Sequence, residues 1–125
     1  AWLHHKGRNK HHDIYWVDLD SPSVAPVIPY KYMLEMICDK LSACITYNGK
    51  NWTTASELEY WEKEKTKTII NPKIERFLTH VFTEVKDNGI DKTLKRKHIK
   101  ELYKKYCIDD KREYRFEFHG EWKEI

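Results

Sequence analysis

Apolar positions recur at helical spacing through the middle of this chain and at alternating spacing only near its end. Between about Tyr30 and Tyr47, residues Tyr30, Leu34, Ile37, Leu41, Cys44 and Ile45 share one side of a wheel turned by about 100° per residue, which predicts a long helix with that face in the core. Its other side carries Glu35, Asp39, Ser42, Ala43 and Thr46, flanked by Tyr32 and Met36. Small and acidic residues there, where a solvated face would be rich in Lys and Glu, predict a second element packed against it. "NGKNW" at 48–52 is a turn, and Thr54 with Glu57 has the spacing of a capping box for a helix running to about Thr68. Asn71 and Pro72 then supply an N-cap and a first-turn proline for the clearest amphipathic stripe, Ile74, Phe77, Leu78, Val81, Phe82 and Val85. Asn88-Gly89 ends it. A further helix is expected from about Asp91 to Tyr106, with Leu94, Ile99, Leu102, Tyr103 and Tyr106 inward. The period then changes: Tyr114, Phe116 and Phe118 alternate with charged residues, His119-Gly120 turns, and Trp122 opens a second short run, the pattern of a β-hairpin.

The opening is less regular. Trp2 to Trp16 reads as two short helical pieces broken at Gly7, with Asn9 as a cap or a left-handed turn. "DLDSPSVAPVIP", residues 18–29, holds three prolines and forms the main connection. The class is therefore α+β: a mainly helical single domain over residues 1–125 with a small C-terminal β-hairpin, a length that suits one core and not two.

Composition narrows the function classes. Five Trp, eight Tyr and four Phe allow an aromatic core although 34% of residues are charged. The net charge of +3 is too small to imply a polyanionic partner without local concentration. Cys38, Cys44 and Cys107 are an odd set without CxxC spacing, which argues against a secreted disulfide framework and against a thiolate zinc knuckle, so an intracellular compartment is expected. No apolar run approaches the roughly 18 residues that span a bilayer, and no membrane partner is expected. A glycine-rich phosphate loop, GxSxG, and a recognisable Cys–His nucleophile pair are all missing from the sequence.

Candidate chemistry concentrates in "HHKGRNKHH", residues 4–12. Four imidazoles around a glycine that lets the chain reverse are suited to Zn²⁺, with Mn²⁺ and Fe²⁺ as alternatives, once a carboxylate joins them. The candidate ligands are His4, His5, His11, His12 and Asp39, and Glu35, one turn before Asp39, is the weaker carboxylate. Exposed histidines without a ligand role are the plain alternative; a purification tag would be an uninterrupted run. His80 and His98 are read as ordinary surface residues and His119 as a turn residue. A second feature is "KTLKRKHIKELYKK", residues 92–105, in which seven basic residues stand against Glu101. Lys95, Arg96, Lys97 and Lys100 are candidate contacts to an acidic protein surface or to phosphates, although a solvated Lys-rich face is the commoner cause of such a run.

"AWLHHKGRNKHHDIYW", residues 1–16, followed by "PYKYMLEMICDKL", residues 29–41, resembles the domain of unknown function family 5662 of phages and Gram-positive bacteria. Its members look like helical HD-type metal-binding proteins. The resemblance runs to the "NPK" start at Asn71 and places His4, His5, His11, His12 and Asp39 on the family's pattern, whereas Tyr114 to Ile125 is not placed by it. It implies, in family members, an upstream helix with a His-Asp pair, and this sequence opens at Ala1 after that point, so the ligand set is expected to be incomplete for hydrolysis. The resulting expectation is a non-catalytic zinc protein of phage origin that binds and inhibits a host defence protein, an anti-CRISPR against a Cas9-type nuclease, using the basic run or the aromatic residues Tyr114, Phe116 and Trp122. An HD-type divalent-metal-dependent phosphohydrolase is the alternative, and a nucleic-acid-binding module is a third and weaker one.

Overall fold

The structure, a computed structural model, describes residues 25–117 and 120–125. In chain order the elements are α1 (Tyr30–Asn48), a 3₁₀ turn (Gly49–Asn51), α2 (Ser56–Glu64), α3 (Pro72–Asn88), the short α4 (Ile90–Thr93), α5 (Arg96–Tyr103), a π-helical turn (Lys104–Ile108), β1 (Tyr114–Phe116) and β2 (Trp122–Glu124). No helix among the described residues is long and apolar enough to cross a membrane. The mainly helical architecture with a C-terminal hairpin is the one its sequence pattern predicts.

Helix α3 is the centre. Asn71 caps it, accepting from Lys73 N at 2.9 Å while its own amide donates to Ala25 O at 3.2 Å, and Pro72 occupies the first turn, where its missing N–H costs nothing. All six residues of its predicted stripe are buried, from Ile74 to Val85. Trp61 of α2 is fully enclosed, edge-on to Phe82 with ring centroids 6.2 Å apart, and its indole N–H is satisfied by Thr79 Oγ1 at 2.9 Å. From α5, Tyr103 sits edge-on to Phe77 at 5.5 Å and donates to Ile28 O at 2.6 Å, which ties the 25–29 segment over the core.

Helix α1 is rotated from its expected setting. Met33, Met36, Ile37, Leu41 and Cys44 are buried, whereas Tyr30 and Leu34 are half-buried and Ile45 is 41% exposed. The inward ladder runs through both methionines, whose unbranched side chains fill the gaps between helices. Glu35, Asp39, Ser42, Ala43 and Thr46 are exposed, and no described element packs over them as was expected.

Two other boundaries differ. Thr54 does not form a capping box with Glu57: its hydroxyl donates to Lys86 O at 3.0 Å, and the turn into α2 is closed by Thr53 N donating to Ser56 Oγ at 2.8 Å. Glu57 points into the protein and is buried. The helix expected over 91–106 is broken into three pieces. Thr93 is buried and bonds back to Gly89 O at 2.9 Å, an arrangement in which a threonine hydroxyl competes with the helical ladder, and Lys95 is extended at φ −70°, ψ 130° before α5 begins.

The hairpin pairs antiparallel, Tyr114 with Glu124 and Phe116 with Trp122. Arg76 of α3 anchors it by donating to the Tyr114 hydroxyl at 2.8 Å, and the Phe116 and Trp122 rings pack on each other at 5.2 Å. All three of these aromatic side chains are half-buried within the fold, so they are less available as partner anchors than expected.

Candidate functional site

The inward ladder of α1 fixes what faces out. With Met36, Ile37 and Leu41 buried, Asp39 lies on the opposite side in mid-helix, and Glu35 lies one turn before it. Both carboxylates are exposed. Asp39 is therefore not shielded by any described element. His4, His5, His11 and His12 lie outside the described residues. Among the described residues, no three His, Cys, Asp or Glu side chains gather as a metal site does. Asp39 is the one residue of the predicted ligand set that lies within the described residues.

Lys95, Arg96, Lys97 and Lys100 are all exposed. Lys95 is the N-cap of α5, and Arg96, Lys97 and Lys100 follow within that helix, whose buried residues are Ile99, Leu102 and Tyr103.

Two clusters were not legible from the sequence. In the first, Glu84 of α3 binds two imidazoles: His80 Nε2 to Oε1 and His98 Nε2 to Oε2, both at 2.6 Å, while His80 Nδ1 meets the Tyr106 hydroxyl at 2.8 Å. Burial opposes ionisation of Glu84, but the hydrogen bonds from His98 and His80 outweigh it and hold the carboxyl below its ordinary range. An ionised Glu84 only accepts, so both Nε2 atoms carry hydrogen, and Nδ1 of a neutral His80 accepts from Tyr106. His80 and His98 are therefore structural partners that join α3 to α5 and the π-helical turn, and not ordinary surface histidines. The i, i+4 spacing of His80 and Glu84 was the available signal.

The second cluster is Glu57, Cys44 and Trp52. Glu57 is 2% exposed, and burial pushes its carboxyl up to about 7 against the opposing influence of the Cys44 thiol and of Lys40. Glu57 Oε1 and Trp52 Nε1 are both buried without a hydrogen-bond partner. At the rim, Lys40 binds both oxygens of Glu64 at 3.1 Å. The capping-box spacing drew the sequence reading away from this inward orientation.

A cleft of about 300 Å³ opens between the 26–27 segment, the start of α3 and the hairpin, bordered by Val27, Asn71, Lys73, Arg112, Tyr114 and Ile125. Its polar groups are already engaged within the fold: Lys73 Nζ donates to Asp110 O at 2.6 Å, and Arg112 forks onto the Asp110 carboxylate, which those bonds hold well below the usual range.

Residues 1–84 match the model of a family of unknown function, DUF5662. No curated protein and no solved structure matches the chain.

Proposed function

The chain belongs to this family of unknown function, and from the matched segment, which contains both the histidine cluster and Asp39, we propose that it is a divalent-metal-binding protein. The ligands are drawn from His4, His5, His11, His12 and Asp39, and the ion is Zn²⁺. The observation that carries the reading is the exposed Asp39 carboxylate in the middle of α1's outer face, on a helix whose other side is locked into the core. A rigid helix supplies the positional precision that metal ligation needs. Glu35, one turn earlier, adds negative potential beside it.

Such an ion has two uses. A closed structural zinc surrounds itself with protein ligands, whereas a catalytic ion keeps a position for water or substrate. An ion held there would polarise a phosphate ester and lower the pKa of water beside it. One use of the ion is that of a metal-dependent phosphohydrolase, in which Asp39 would hold the ion and α1 fix its place while a His-Asp pair completes the ligand set.

The second reading is a phage protein that inhibits a host defence protein, a Cas9-type nuclease being the partner to test. It is favoured by Tyr47 and Tyr60, which are 91% and 60% exposed and are of a residue type enriched where protein interfaces concentrate their energy.

A screen of nucleotides and phosphodiesters with Zn²⁺ or Mn²⁺, run beside Cas9 binding and DNA-cleavage assays, separates the two. Metal-dependent hydrolysis abolished by Asp39→Ala would establish the hydrolase reading. Absence of turnover together with Cas9 binding would install the inhibitor reading, and protein that binds no metal at neutral pH would end the metal-centred proposal.

A further inference from the structure

Five cations fall within residues 92–100, and among the described residues none of them has an acid partner. Lys40, Arg76, Arg112 and Arg115 are each held by a carboxylate. Among the described residues, Lys92, Lys95, Arg96, Lys97 and Lys100 form no ion pair, although all five are exposed. Their arrangement is also costly to the fold. Arg96, Lys100 and Lys104 form an i, i+4 row of like charge, which destabilises a helix where Glu–Lys alternation would support it. The first turn of α5 has no acidic residue, and its N-cap, Lys95, makes no side-chain cap. Cations there oppose the helix dipole. A face that only had to stay hydrated would not need this concentration of one sign, and local conflict of this kind is expected where function overrides stability.

The chemistry around the cations selects the partner. A protein interface concentrates its energy in apolar and aromatic anchors, and a membrane-surface helix needs an apolar face turned to lipid. The outward side of α5 offers neither, because its large apolar residues Ile99, Leu102 and Tyr103 are buried. Point charges without anchors are sufficient for a phosphodiester backbone, where counterion release drives association and no base contact is required. The surface lies outside the family match over residues 1–84, so it does not depend on the metal-site reading.

We propose that Lys92, Lys95, Arg96, Lys97 and Lys100 form a nucleic-acid-binding surface that grips the phosphodiester backbone without reading base sequence. Fluorescence anisotropy of the full chain with labelled duplex DNA, single-stranded DNA and RNA tests it, with polyglutamate and anionic vesicles as competing polyanions. About 0.9 units of log–log salt slope accompany each duplex phosphate contacted, so five cations give a slope of about −3 to −5. Lys95→Glu, Arg96→Glu and Lys100→Glu combined should flatten that slope by about 3 and weaken duplex binding at least about tenfold at low salt. Lys50→Glu, Lys63→Glu and Lys67→Glu combined make the same change of net charge at exposed positions elsewhere and should weaken binding much less. Thermal melts of both triple variants establish that they are folded. Three results overturn the proposal: no salt-dependent binding to any nucleic acid, equal loss in the two triple variants, or equally tight binding to polyglutamate or vesicles.

Discussion

Glu57 and Glu84 are both carboxylates on helices facing the interior, and their surroundings drive them in opposite directions. Glu57 is enclosed with one oxygen unpartnered, so its neutral form is favoured up to about pH 7. Between its ordinary value near 4.5 and about 7 the folded state holds a proton that the unfolded state has released, so stability falls as pH rises through that window. Glu57→Gln should remove this dependence and stabilise the protein at pH 8 by on the order of 3 kcal/mol, read from urea melts at pH 5 and 8. An unchanged slope with pH would mean that Glu57 is not the titrating group. Glu84 behaves in reverse. Its carboxyl is held below the ordinary range by His98 and His80 against the effect of burial, so its contribution is present above the unfolded value and is lost as pH falls through the lower folded value. Glu84→Ala should destabilise at pH 7 by about 1 to 3 kcal/mol by leaving the His80 and His98 Nε2–H groups without their acceptor. The sequence showed His80 four residues before Glu84 but gave no sign of His98, which reaches the same carboxylate only because the chain breaks at Leu94–Lys95.

At the level of elements, legibility followed the strength of the apolar pattern. α3 has branched or aromatic residues all along its apolar stripe and a capped, proline-bearing start, and its limits and that buried stripe are those its sequence predicts. α1 offers apolar residues on more than one side, so packing decided the outcome, turning Met33 and Met36 inward and Ile45 out. Met33→Ala should therefore cost about 2 to 5 kcal/mol, as truncation of a filled core position does. Ile45→Ala should stay within about 1 kcal/mol, and denaturant midpoints that reversed this order would restore the face expected from the wheel. The run from Asp91 to Tyr106 misled for a different reason: good helix-forming lysines mask Thr93, whose back-bond to Gly89 and burial stop α4 after one turn. The resulting bend brings Tyr106 of the π-helical turn against His80.

For the whole molecule, the candidate metal site was legible as a list of donor types and less so as a place. Spacing pointed to His4, His5, His11, His12 and Asp39 as ligands, but the shielding expected of Asp39 depended on which elements cover α1, and that is tertiary information a wheel does not contain. The stability test compares the zinc-induced shift of each protein with its own metal-free melt. With Zn²⁺ at about 1,000 times its dissociation constant, the wild type gains about 4 kcal/mol by mass action, and the variant should lose most of that gain. The His11→Ala, His12→Ala double change should behave in the same way. Thr46→Ala, on the exposed side of α1, is the neutral comparison, whereas a change at His80 would not be neutral because both its ring nitrogens are engaged. The metal-dependent gain should also fade below about pH 6 to 6.5, where imidazoles take up protons and cease to be ligands. Melting curves with and without chelator at pH 5.5 and 7.5 decide the matter: a zinc-induced shift retained by Asp39→Ala would remove α1 from the site.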